Sequence, residues 1–181
     1  MREINEAAEP ILAELHRGVW WSLSADEKRK LSAWATMFTM TYEHADMKTL
    51  ATPQCERTFL MESGQPPSNW KVWIGEYSNG VWSDTCQHKG ASFNPSQSSP
   101  ADLTPMNLQS TVFTFGKLLL NTFSTHADLN FKAAEYGFRL GLQTIWPING
   151  SVIRKPSNVH GAAQVEFIAQ VLEWATDDFI R

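Results

Sequence analysis

The stretch Trp70-Lys71-Val72-Trp73-Ile74-Gly75-Glu76-Tyr77-Ser78-Asn79-Gly80-Val81-Trp82 constrains the fold more than any other part of the chain. Asn-Gly between alternating residues is a strong hairpin signal, because a tight two-residue turn needs the positive φ that both residues tolerate. Alternation normally leaves one face of an antiparallel ribbon wet. Here both faces carry large apolar groups, so the second face needs a cover. A two-residue Asn79-Gly80 loop sets a register in which Tyr77 faces Trp82, Gly75 faces Asp84, Trp73 faces Cys86 and Lys71 faces His88. Trp70, Val72, Ile74, Val81, Ser83 and Thr85 share the other side and are expected to pack on the protein's own helices. The first side is aromatic and also carries Lys71, Asp84 and His88, with Gly75 leaving a gap beside Asp84. Three covers are open: a further helix or loop of the same chain, a second subunit, or a small molecule in a mainly apolar pocket.

The flanking elements follow from periodicity. Ile4, Ile11, Leu12 and Leu15 make one helical stripe over residues 3–17, interrupted by Pro10 and closed by Gly18. Ser24 and Glu27 form a capping box for a second helix over 25–43, on which Leu31, Trp34, Ala35, Phe38 and Tyr42 recur at helical spacing. Arg57-Thr58-Phe59-Leu60-Met61 reads as a short strand, and 64–69 as a turn. Strands are expected at 70–78 and 81–88, then a Pro/Ser loop over 94–105. Gly116-Lys117 is a two-residue signal for a second hairpin within 106–123; a helix there is the rival reading, and the β-branched and aromatic residues at 111–115 favour the hairpin. A short helix falls within 126–137, and alternation from Phe138 to Trp146 predicts a strand. Val165, Ile168, Leu172 and Ala175 share a face of a last helix over 161–177. Helices, then strands, then a helix predict an α+β fold. Its antiparallel sheet has about five to six strands built from hairpins, packed by N-terminal helices and one C-terminal helix.

The 181 residues are enough for a single domain over 1–181 with a sizeable core. The formal net charge of −4 gives no global basic field, so nucleic acid is not an expected partner. The acidic N-terminus lacks an apolar signal region, and no stretch approaches the roughly 20 apolar residues of a membrane helix, so no membrane partner is expected. The two cysteines, Cys55 and Cys86, are too few for a disulfide framework, and a cytoplasmic, reduced setting is the expectation. Eight tryptophans are many for this length and place some at an interface or a pocket mouth.

Catalytic chemistry finds little support. Cys86 and His88 lie two apart on one strand, roughly 6.5–7 Å along it, which is long for a nucleophile and its base. His44-Ala45-Asp46 and His126-Ala127-Asp128 repeat a tripeptide at element ends, where Asp caps helices and His favours a C-terminus. Glu9, Glu14, Glu43 and Glu166 are scattered. No phosphate-binding Gly-rich loop, nucleophile elbow or HExxH motif is present, so no catalytic residue, metal ligand or cofactor is assigned.

Several short motifs are shared with a known group. They are the acidic segment Met1-Arg2-Glu3-Ile4-Asn5-Glu6, Leu31-Ser32-Ala33-Trp34-Ala35, Arg57-Thr58-Phe59-Leu60, and Pro66-Pro67 before Val72-Trp73-Ile74-Gly75. Phe115-Gly116-Lys117-Leu118 and Ile145-Trp146-Pro147 complete the set. On these the chain resembles the C-terminal region of uncharacterised bacterial proteins with an HNH-nuclease-like or zinc-binding N-terminal part. The resemblance implies an accessory half, because the chain has no CxxC pair and no His-Asn-His constellation.

The functional expectation is a non-catalytic binding or assembly module. It self-associates as a homo-oligomer, or binds a protein partner, through the hairpin face carrying Lys71, Trp73, Tyr77, Trp82, Asp84 and His88. A small-molecule-binding or catalytic pocket on the same face is the alternative, and an accessory domain of an HNH-type nuclease system is a third.

Overall fold

A computed structural model describes residues 1–78, 85–92, 106–127, 133–150 and 152–178, with residues 47, 133–134 and 171–178 described by backbone alone. The Asn79-Gly80 turn, Trp82, Asp84 and the 94–105 loop lie outside the described residues.

Helix α1 (Arg2–His16) buries Ile4, Ile11, Leu12 and Leu15, the stripe expected from the sequence, together with Ala8, and continues through Pro10. Gly18 follows at φ +80°, the left-handed geometry that suits glycine. Helix α2 (Ala25–Tyr42) starts at a complete capping box: Glu27 N donates to Ser24 Oγ at 3.2 Å, and Ser24 N donates to Glu27 Oε2 at 2.7 Å. Two short 3₁₀ turns, η1 (Glu43–Ala45) and η2 (Met47–Thr49), lead to α3 (Gln54–Ser63).

Helix α3 corrects the expected strand at 57–61. Of the apolar residues there only Leu60 is buried, while Phe59 and Met61 are exposed. A lone buried residue suits one contact of a surface helix. Gly64 ends that helix at φ +65°, its N–H bonded to Leu60 O. Arg57 and Glu56 tie α3 down. Arg57 pairs with the fully buried Glu43 and donates to Met40 O, while Glu56 Oε2 accepts from Trp70 Nε1 at 2.8 Å.

The strands are β1 (Trp70–Tyr77), β2 (Cys86–Ala91), β3 (Leu108–Phe115), β4 (Leu118–Thr125), β5 (Gln143–Trp146) and β6 (Val159–His160). Among the described residues they form one six-stranded sheet in the order β2-β3-β4-β1-β5, with β6 pairing β1 in parallel and the other pairs antiparallel. The fold is α+β, with helices at both ends of the chain. The Gly116-Lys117 turn joins β3 to β4 as a hairpin, which settles 106–123 against a helix. Gly116 takes φ +58° and sits against the end of α1, where an added Cβ would meet His16 O at 2.6 Å. The strand expected over 138–146 starts later. Phe138 and Arg139 belong to α4 (Ala133–Arg139), and Gly141 turns the chain at φ +68° before β5.

The expected β1–β2 pairing is corrected as well. Among the described residues β1 is an inner strand between β4 and β5, and β2 pairs β3 and not β1. Directly opposed antiparallel residues share a face, so the registers define rows across the sheet. Trp73 is level with Asn121, Val112 and Gln87; Val72 is level with Thr122, Thr111 and His88. The Trp73 row faces α4 and α5 (Ala162–Asp178), in a core with Tyr77, Phe123, Tyr136, Val165 and Ile168. The Val72 row faces α1 and α2, in a core with Ile74, Leu120, Ile145, Leu12 and Leu31. Trp70 packs with Ala33, Met37 and Leu60 beyond it. Both faces of the sheet are therefore covered by the chain itself. Among the described residues no helix is long and apolar enough to cross a membrane.

Candidate functional site

The six residues of β2 are all partly exposed, unlike the deeply buried β1, β3 and β4. On the α2 side, the end of that helix, η1, η2 and β2 enclose an open cleft of about 330 Å³ lined by Tyr42, Ala45, Asp46, Thr49, Cys86, Gln87, His88 and Lys89. α2 positions Tyr42, and Asp46 starts η2 by accepting from Lys48 N at 3.0 Å. β2 places Cys86 and His88 on the cleft side, because Cys86 pairs Phe113 and His88 pairs Thr111.

An aromatic ladder leads into this cleft. Trp34, Phe38 and Tyr42 stand one turn apart on α2, with ring centroids 5.7 Å and then 6.0 Å apart and planes within 27° and 16°. Phe38 packs on Phe113 at 4.4 Å, Trp34 lies 6.4 Å from Phe115, and Tyr42 meets the His88 ring edge-on at 6.5 Å. The ladder stays partly exposed along its length, and Tyr42 is 36% exposed. Unsealed aromatic surface next to a cleft marks a contact site more often than a scattered exposed residue does.

Cys86 and His88 are both held in their neutral forms. Burial pushes the Cys86 thiol up to about 12, against a weak opposing hydrogen bond from Tyr42. Burial also lowers His88 below the usual imidazole value, outweighing the Thr49 carbonyl and the Glu43 and Asp46 carboxylates. His88 Nδ1 lies 2.7 Å from Thr111 Oγ1. A protonated thiol beside a neutral imidazole committed to a threonine is poorly set up as a nucleophile and base. Among the described residues no group of three or more His, Cys, Asp or Glu gathers as metal ligands.

The residues singled out in the sequence are spread apart. Trp73 and Tyr77 are buried under α4 and α5 at 0% and 3% exposure, and the Trp73 ring lies 4.7 Å from Tyr136. Lys71 is on that same face, where burial lowers its pKa and its ammonium donates to Ser68 O at 3.2 Å. His88 is on the opposite face, in the cleft. Trp82 and Asp84 are outside the described residues. The expected patch is therefore not assembled by Lys71, Trp73, Tyr77 and His88. The sequence pattern does not single out Tyr42, Asp46 or Cys86 for binding. The available signal was the Trp34-Phe38-Tyr42 spacing, which periodicity alone assigns to a core face.

The buried faces hold other polar groups. Asn121, fully buried, donates to Ser110 Oγ and Thr111 O and accepts from Tyr136 Oη at 2.9 Å. Glu76 is buried near Lys155, with Nζ 3.5 Å away. Tyr77 Oη and His160 Nε2 find no hydrogen-bond partner among the described residues. No family model, curated protein or solved structure matches this chain.

Proposed function

We propose that the chain is a non-catalytic binding module that holds a segment of another protein along the Trp34-Phe38-Tyr42 ladder and in the cleft beside β2. The observation that carries this reading is the contrast in burial. Trp70 and Trp73 are sealed in the core, whereas the α2 ladder is left partly open next to a cleft. The muted Cys86 and His88 favour binding over catalysis. A second copy of the chain is the other occupant to test, since symmetric self-association is common.

The test selects peptides from a random display library on the full chain and compares the wild type with Tyr42→Ala. Selected peptides are expected to lose about tenfold or more in affinity on Tyr42→Ala, the scale of an aromatic anchor. Light scattering from 5 to 200 µM would reveal a second copy as the occupant. A mass that does not change with concentration, together with selected peptides indifferent to Tyr42→Ala, would remove the reading.

A further inference from the structure

We propose that the cleft recognises a cationic side chain, an arginine or lysine of a partner segment that lies along the aromatic ladder. This rests on the binding reading above and names the chemistry of its occupant. The lining supplies a partly exposed tyrosine ring and an exposed carboxylate, the two groups that attract a cation at a protein surface. Asp46 Oδ1 accepts one backbone hydrogen bond, from Lys48 N at 3.0 Å. A carboxylate offers about four acceptor positions, so Asp46 retains capacity for a guanidinium or ammonium group.

Among the described residues, neither basic side chain of the lining opposes this. His88, held neutral by burial, does not repel a positive guest. Lys89 lines the cleft, but it pairs Ser110 in the row of Lys71 and Phe123, so its side chain leaves on the α5 side. Glu43 lies beneath, already paired with Arg57. The net charge of −4 adds a field of the right sign. A segment with its charge in the cleft sets its apolar neighbours on Phe38 and Trp34, 6.0 Å and a further 5.7 Å away by ring centroid from Tyr42.

The experiment follows the backbone amides of the full chain by NMR during titration with N-acetyl-arginine amide and with its uncharged counterpart, N-acetyl-citrulline amide. A third titration uses the capped hexapeptide Leu-Pro-Leu-Arg-Leu-Pro. The arginine amide is expected to shift residues 42, 46 and 86–89 saturably and about fivefold more strongly than citrulline, on the scale of a cation–π contact with an exposed ion pair. The hexapeptide is expected to bind more tightly and to add shifts at Trp34 and Phe38. Asp46→Asn keeps an acceptor for the Lys48 amide, so η2 retains its cap, and this variant is expected to abolish the preference for arginine. Equal responses to arginine and citrulline, or a preference that survives Asp46→Asn, would overturn the inference. A hexapeptide that shifts Trp34 and Phe38 without a charge preference would overturn it while leaving the binding reading in place. Silence from all three probes would count against both.

Discussion

Gly137 of α4 sits directly against the Trp73 indole: a Cβ built on it would fall 2.8 Å from both Cδ1 and Nε1. Ordinarily Gly→Ala inside a helix gains about 1 kcal/mol. Here the neighbour is a fully buried ring, also packed against Tyr136, and it cannot swing aside as a flexible chain end would. Overpacking of this kind costs roughly 1–3 kcal/mol and outweighs the helix term. Gly137→Ala is expected to lower the urea midpoint without changing the slope; a midpoint at or above wild type would show that α4 can move off the sheet.

Glu43 and Arg57 make the clearest test of what holds α3 in place. Glu43 is fully buried at the end of α2, accepting from Arg57 and from the backbone N–H groups of Ala51 and Thr52. Removing one partner of a buried pair strands the other charge and costs roughly 3–5 kcal/mol. Arg57→Met is expected to lose stability on that scale in equilibrium unfolding. Glu43→Gln combined with Arg57→Met is expected to recover part of the loss, because the amide still accepts from the backbone. No recovery in the double variant would mean that packing of the arginine stem, not charge, dominates.

The pH dependence has a definite sign. Burial lowers both His88 and His160 below the ordinary imidazole value of 6.5, partly offset at His160 by a backbone hydrogen bond to Gly141. The folded chain therefore takes up fewer protons than the unfolded chain as pH falls through that value. The stability this represents is complete above pH 6.5 and is lost as pH drops toward the folded-state values. Unfolding free energy is expected to decline from pH 7.5 to 5, with a shallower decline in His88→Gln/His160→Gln. Imidazole titrations by NMR are expected to have midpoints below 6.5 for both; a midpoint above it at either residue would contradict the burial argument there.

Local signals carried much of the architecture. Ser24 and Glu27 announced α2 because a capping box is satisfied within one turn of chain. Gly116 marked the β3–β4 hairpin for the same reason. The alternation of Trp70 to Tyr77 sorted its side chains correctly into two sets, one facing α1 and α2 and the other α4 and α5. What it lacked was the identity of the neighbouring strands. Asn79-Gly80 favours a turn but cannot say that β4 and β5 will flank β1, since those pairings join residues dozens of positions apart. His88 consequently fell on the wrong face relative to Trp73. The candidate surface is hidden for a related reason: Trp34, Phe38 and Tyr42 recur as core residues do, and only packing decides that α2 leaves them half open.

Each outer strand of the β2-β3-β4-β1-β5 path is tied to another part of the chain. Thr49 of η2 lies so close to Gly90 of β2 that an added Cβ would be 2.9 Å from the Thr49 carbonyl oxygen. On β5, the Gln143 side-chain amide donates to Arg154 O at 2.7 Å and accepts from Arg154 N at 3.0 Å, imitating a further strand. These ties fasten the margins of the sheet to the chain's own connecting segments, so a change in η2 or around Arg154 would be felt first at an outer strand.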